Sequence, residues 1–465
     1  MMIGCAVLIG GCARFHAQPL VPERTLTAFS ARTLDDPGLR AFLERGLGRR
    51  IDPWPPAAWE FPVLTLAALH YHPDTGAAQT NWSLAKAGII TAGARPNPQL
   101  GLNWQKVTDV PGTGISPWVI TRTLDVPIET AGKRRDRLAK ARYLEEAARL
   151  SLVDTAWRVR SRLRKSLLNL EAAIEEETLL TEQYAEQVAY ATAIEERLAM
   201  GQASPPTMLQ AQSARDRTLV AMHGAQQQRV NAAAQCAEAL GISAGALAGV
   251  DVAFPFEDNA WPIAPKEAVR REALLTRPDL LEALAAYAAS QANLQLEIAK
   301  QYPDLHIGPG YSWDQGTDKW SLGVTLTLPV LDQNQGPIAE AEAQRRQAAE
   351  RFISMQAAAI AELDRALADY EAARGTLRSA DSSLATQWAQ YRMAEQRLSA
   401  GNNLWPTALI ARAELRAAAV NRLHAFADTQ RAVGALEDAL HRPLDPSEPR
   451  IDLVQLTNPD QTRKR

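Results

Sequence analysis

The chain has 465 residues, enough for a large core or two to three domains, and a net charge of -3 with acids and bases nearly balanced, so nothing points to a nucleic-acid partner. Hydrophobic residues make up 46%, yet no run reaches the roughly 20 apolar residues that a membrane-spanning helix needs. A spanning β-barrel stays open, because its strands need only about 9–11 residues each.

The chain begins MMIGCAVLIGGCARF, and the apolar run closes on Ile9-Gly10-Gly11-Cys12. That ending resembles a bacterial lipobox, which makes residues 1–11 a lipoprotein-type signal and Cys12 the lipidated residue. An ordinary secretory signal with an incidental cysteine is the alternative. Cleavage before Cys12 leaves Cys236 as the only free thiol, so no internal disulfide framework is expected. Residues 12–60 are proline-rich and are expected to form an extended N-terminal arm.

From residue 61 onward the chain says most things twice. PNPQLGLNW (Pro96 to Trp104) returns as YPDLHIGPGYSW (Tyr302 to Trp313), and LDVPIETAG (Leu124 to Gly132) as LTLPVLDQNQG (Leu326 to Gly336). ERLAMGQASPPTML (Glu196 to Leu209) returns as QRLSAGNNLWPTAL (Gln396 to Leu409). The order is the same and the spacings nearly so, which defines two tandem repeats. The first covers 61–241, with a helix at Pro73 to Gly93, a β-hairpin at 98–127 and a helical hairpin at 132–240. A connector at 242–265 precedes the second repeat, 266–441. That repeat holds a helix at Lys266 to Lys300, a β-hairpin at 302–329 and a helical hairpin at 337–440. Residues 442–465 read as an irregular tail.

The hairpins show period-two alternation. Leu100, Leu102 and Trp104 share one face, as do Trp118, Ile120, Leu124 and Val126, with Arg122 as the exception. Trp320, Leu322, Val324, Leu326 and Leu328 alternate most regularly. Pro309 interrupts the third strand and predicts a bulge or an edge. Such alternation suits a soluble sandwich as well as a membrane barrel. However, Trp104, Trp118, Tyr311, Trp313 and Trp320 all fall near the hairpin tips, as an aromatic belt at one membrane interface requires. Four strands cannot close a barrel alone, and open edges are not tolerated in lipid, so a membrane sheet requires several copies to share one barrel.

No proline interrupts Gly132 to Gly201, which allows a helix of roughly 100 Å. Leu152, Ala156, Val159, Leu163, Leu167, Leu170 and Ile174 step by three or four, the seam of a coiled coil. Phe352, Met355, Ala359, Leu363, Ala366, Tyr370, Ala373 and Leu377 repeat it. The first helix opens with Lys133, Arg134, Arg135 and Arg137, where the helix dipole disfavours cations. Anionic headgroups at the membrane face could offset this, and a solvated helix face is the plainer alternative.

An enzyme is not expected, since no nucleophile elbow, phosphate loop or spaced carboxylate motif occurs. No cofactor is expected either. Of seven histidines only His70 and His72 lie close together, without further ligand-type partners, so no metal site is assigned.

Together, the lipobox-like start, the two strand-hairpin and helix-hairpin units, and the paired R-L-x-x-G turns resemble the outer-membrane efflux proteins of tripartite pumps, the TolC family. The stretch AGIITAGARPNPQL (Ala87 to Leu100) looks like the heavy-metal and nodulation-type branch. The resemblance implies a mainly α fold with a small β part. It also implies a homotrimer, in which a twelve-strand outer-membrane barrel opens into an α-helical tunnel across the periplasm. The partners implied are a periplasmic adaptor, an inner-membrane transporter of the RND type, and outer-membrane lipid. Conduction would be passive. The resemblance places adaptor docking at Arg197, Leu198, Gly201, Arg397, Leu398 and Gly401, and the periplasmic aperture at Asn402, Thr407 and Ile410. Some family members carry aspartates at that aperture, and this chain does not, which implies a neutral or steric closure. The rival readings are an exit channel for type I protein secretion and a periplasmic coiled-coil adaptor or structural protein.

Overall fold

The computed structural model describes residues 15–109, 112, 114–254, 266–400, 405–445 and 448. Cys12 and the signal segment lie outside the described residues, as do Gly401 and Asn402.

The segment expected as an extended arm contains two helices, α1 (Pro22–Ser30) and α2 (Pro37–Leu47). Each opens on a proline, which suits the first helical turn because its missing N–H is unpaired there anyway. Asp36 caps α2 by accepting from the Gly38 N–H at 3.1 Å. Pro22 and Pro37 therefore start helices, while Pro19, Pro53, Pro55 and Pro56 lie outside them. β1 (Trp59–Glu60) leads into α3 (Phe61–Tyr71), whose sequence FPVLTLAALHY is apolar all round. Such a helix must be buried on every side. Nine of its eleven residues are, and Leu64 packs in one core with Leu39, Leu43, Leu163, Leu167 and Leu240.

α4 (Pro73–Gly93) rises to a hairpin of β2 (Gln99–Lys106) and β3 (Trp118–Ile128). The chain then turns through two left-handed residues, Ala131 and Gly132, into α5 (Lys133–Ala199), 67 residues long. α6 (Pro205–Leu240) returns, followed by α7 (Ala244–Leu247) and β4 (Val252–Ala253), which pairs in parallel with β1. The second repeat is α8 (Lys266–Thr276), α9 (Pro278–Ala299), β5 (Leu305–Asp314), β6 (Thr317–Leu326), α10 (Gln335–Ser399) and α11 (Trp405–Leu440).

The single helix expected over Lys266 to Lys300 is thus two. Arg277 sits in an extended conformation (φ -61°, ψ 124°) because the ring of Pro278 disfavours a helical residue before it. The seam residues from Leu152 to Leu170 are buried, while Ile174 at the end of that run is exposed. In α10 the corresponding run is buried at Ala359, Leu363, Ala366, Tyr370 and Leu377. Cys236 is fully buried in α6, and that burial pushes its thiol pKa up to about 11.

The four long strands form one antiparallel sheet in the order β2-β3-β5-β6. Pro309 is neither at an edge nor in a bulge, since it faces Leu322 in unbroken register and β5 is an inner strand. Its missing N–H shows instead as a lapse in the β3–β5 ladder between the pairs Thr123–Gly310 and Val126–Ile307. Near the sheet the helices lie side by side as α4-α5-α9-α10, and farther from it as α6-α5-α11-α10. Every layer is therefore an open arc with a first-repeat element at one edge and a second-repeat element at the other.

Candidate functional site

Cross-strand pairing fixes which residues share a face. Trp104, Ile120, Trp313 and Asp318 form one row; Leu102, Arg122, Tyr311 and Trp320 the next; Leu100 and Leu124 lie below, beside Leu322 and Val324. This face is apolar and open, with Leu100, Leu102, Trp104, Trp118, Trp320, Leu322, Val324 and Leu326 all exposed. The opposite face carries Gln99, Asn103, Thr121, Thr123, Ser312, Ser321 and Thr325, with glycines between them. A soluble sheet buries its apolar face; this one presents it outward.

The structure brings Trp104, Trp118, Tyr311, Trp313 and Trp320 together at the tip end of the sheet. Tyr311 and Trp320 rings lie 5.0 Å apart. The Tyr311 hydroxyl donates to Asp318, and the Arg122 guanidinium lies 6.0 Å from the Tyr311 ring, so both charges lie against this aromatic belt.

At the far end, α5 stops in a Schellman turn. Gly201 takes φ +71°, the Gln202 N–H donates to Arg197 O at 2.7 Å, and the Gly201 N–H donates to Leu198 O at 3.0 Å. Leu198 leans on a small core of Ala191, Ile194, Met208 and Ala211. Among the described residues no ion pair or side-chain hydrogen bond engages Arg197 or Arg397. Leu398 is half-buried, and Thr407 and Ile410 are exposed on the first turns of α11, flanking buried Ala408.

A set of ion pairs just above the tips was not foreseen. Arg412 Nε is 2.9 Å from Glu186, and Arg416 reaches Glu182 (2.8 Å) and Glu186 (3.3 Å), joining α11 to α5. The available signal was two acids and two bases, each four apart on one helix face.

The basic start of α5 is committed inside the chain, not to lipid headgroups. Arg134 donates to Gly93 O (2.8 Å), Arg137 to Ala92 O (2.7 Å) and Ala94 O (2.9 Å), and Lys133 to Tyr302 O and Asp304. Arg134 and Arg137 thereby meet the carbonyl end of α4, where positive charge is favoured. Only Arg135 stays largely in solvent.

His70 lies between Phe42 and Tyr71, tilted against the first ring and edge-on to the second. His72 caps α4 by accepting from the Asp74 N–H, and its other nitrogen lies 2.9 Å from Arg162. Burial pulls both histidine pKa values below the usual range. Among the described residues no group of three or more His, Cys, Asp or Glu side chains is arranged to hold a metal ion.

A sheet with an outward apolar face and two free edges, set on paired helical hairpins, defines one sector of a barrel-and-tube channel protein. The sequence profile of the outer membrane efflux protein family matches residues 64–242 and 269–441. The chain belongs to that family. The cobalt-zinc-cadmium resistance protein CzcC of Cupriavidus metallidurans is 27% identical over 301 residues, covering 60% of this chain. That match spans 65% of CzcC, just under two thirds of its length. The fold is shared with the outer-membrane channel OprN (TM-score 0.68, 18% identity, 90% of this chain and 92% of that one). It is shared equally with the Campylobacter jejuni CmeC outer membrane channel (TM-score 0.67, 16% identity, 94% of each chain).

Proposed function

We propose that three copies of this chain close into an outer-membrane exit duct that conducts divalent transition-metal cations passively from a periplasmic adaptor and an inner-membrane transporter. The observation that carries this reading is the sheet. Its apolar face suits lipid, while its free β2 and β6 edges cannot remain open there. The metal cargo rests on the likeness to a cobalt-zinc-cadmium resistance protein. Arg197, Leu198, Arg397 and Leu398 would dock the adaptor, and Thr407 and Ile410 would line a neutral aperture. Cys12 would carry the lipid anchor.

The internal seam between repeats gives the register between copies. Along β3–β5, Ile128 faces Leu305 and Val126 faces Ile307. β6 repeats β3 with Pro329 in the place of Pro127, and β2 repeats β5 with Pro98 in the place of Pro303. Copying the seam to the free edges pairs Val330 with Leu100, Leu328 with Leu102 and Leu326 with Trp104 of the next copy. Two exposed residues support this pairing. Leu328 (67% exposed) and Val330 (76%) continue the alternation beyond the end of β6, whereas β3 runs to Ile128 because β5 pairs with it. The strand expected through Leu328 ends at Leu326 for want of that neighbour. A chain carrying Leu328→Cys and Leu102→Cys, treated in membranes with a short thiol cross-linker, is expected to give dimer and trimer bands. Leu328→Cys alone should give none. Monomer only, or cross-linking only in a shifted register, would exclude this barrel.

Export itself is tested at the tips. Cells lacking the protein should lose survival on cobalt, zinc or cadmium salts, and the doubly substituted Arg197→Glu, Arg397→Glu chain should fail to restore it while still assembling in the membrane. Full restoration by that variant would remove adaptor docking from these arginines.

A further inference from the structure

The polar face of the sheet holds one histidine. His306 on β5 places Nδ1 3.0 and 3.2 Å from the two carboxylate oxygens of Asp125 on β3, and each side chain is 41% exposed. Beyond the pair the wall is bare. Gly308 follows on the same face of β5 and faces Gly323 on β6. A Cβ at Gly308 would meet nothing nearer than 3.7 Å, and one at Gly323 nothing nearer than 3.6 Å, both ordinary contacts. Neither glycine has a positive φ. Packing therefore does not require glycine there, and its effect is open space next to the imidazole.

We propose that the His306–Asp125 pair is a weak contact site for divalent transition-metal cations on the channel wall. The proposal rests on the duct reading above, in which the polar face lines the lumen. With the carboxylate at Nδ1, the imidazole carries its proton there and leaves the Nε2 lone pair as the donor. Metal-binding histidines use this arrangement, in which a carboxylate fixes tautomer and ring orientation. Imidazole favours ions such as cobalt and zinc, while magnesium prefers oxygen donors. Asp304, two residues before His306, is engaged by Lys133 and the Thr130 N–H and adds no donor. A bound ion would thus keep mostly water ligands and be held loosely. Loose holding suits a passive pore, because an ion must enter readily and also leave.

The competing account is structural. Pro309 breaks the β3–β5 ladder beside this pair, so His306 and Asp125 could be only a side-chain staple across the lapse. Two measurements separate the accounts. In the purified protein, diethylpyrocarbonate modification of His306, followed by mass spectrometry, should be slowed several-fold by millimolar Zn2+ and not by Mg2+, with exposed His16 as the unprotected control. In planar bilayers, Zn2+ should reduce conductance reversibly, with EDTA restoring it. His306→Ala should abolish the Zn2+ effect and Asp125→Asn should weaken it, each read as the ratio of that variant's conductance with and without Zn2+. Unchanged modification in Zn2+, or a Zn2+ block that persists in His306→Ala, overturns the metal contact. A fall in heat stability of His306→Ala with no change in either Zn2+ response identifies a staple only. Zn2+ protection of His306 without any conductance would spare the contact and count against the duct.

Discussion

Gly241→Ala is expected to be among the most damaging single-methyl additions in this chain, costing about 3–5 kcal/mol of stability. Gly241 ends α6 at φ +76°, and the Ile242 N–H donates back to Ala237 O at 3.0 Å. An L-residue in that conformation carries roughly 1–2 kcal/mol of strain. Space is the larger difficulty. A Cβ there would lie 2.8 Å from Tyr71 O, 2.9 Å from Tyr71 C and 3.0 Å from His72 Cα, all backbone atoms that cannot rotate away. The same spot is fixed by Arg32, which donates to both Tyr71 O and Gly241 O at 2.9 Å. Relief would require moving the α3–α4 corner off α6, and with it the core around Leu64 and Leu240. Thermal unfolding of the purified protein, followed by circular dichroism, should show a large drop in midpoint. A midpoint equal to the parent's would mean the corner is soft and the close approach unimportant.

The second repeat solves the same corner differently, which bears on what the sequence could reveal. His441 occupies the matching position with φ +50°, its Nε2 lying 3.0 Å from Asp154 and its ring stacked on Trp157. The repeat was legible because prolines and glycines recur at matching offsets, and because the strand and helix periods change at the same places in both copies. The tip turn at Gly201 was legible for the same reason, since R-L-x-x-G is a helix end written in local sequence. What was illegible depends on partners far along the chain. Lys133, Arg134 and Arg137 look like a misplaced charge run in sequence, because their partners are distant: the carbonyls of Ala92, Gly93 and Ala94 for the two arginines, Tyr302 O and Asp304 for the lysine. The break at Arg277 was readable from Pro278 alone and was outweighed by the strong helical pattern on either side. Pro309 was misjudged because its cost in an inner strand is a local lapse in one ladder, with the other ladder intact.

The second large effect is expected where α5 meets α11. Arg160 is 5% exposed and lies between two acids, with Nη1 3.2 Å from Glu437 and Nε 2.8 Å from Glu448. Its guanidinium also sits 4.6 Å from the Trp157 ring and 5.1 Å from the Phe61 ring. Removing one member of a buried ion pair leaves an uncompensated charge, so Arg160→Met should cost about 3–5 kcal/mol. The two acids would not suffer equally. Glu437 keeps Arg164 at 3.3 Å and the Leu444 N–H at 2.9 Å, whereas Glu448 has Arg160 as its ion-pair partner among the described residues. Most of the loss should therefore come from Glu448. Adding Glu448→Gln to Arg160→Met should recover a large part of the stability, because a neutral amide is far cheaper to bury than a carboxylate. Heat unfolding of the parent, both single variants and the double variant closes the cycle. If Arg160→Met melts with the parent, the network contributes little. If the double variant is no better than Arg160→Met, the loss lies in packing against Trp157 and Phe61 and not in a stranded charge.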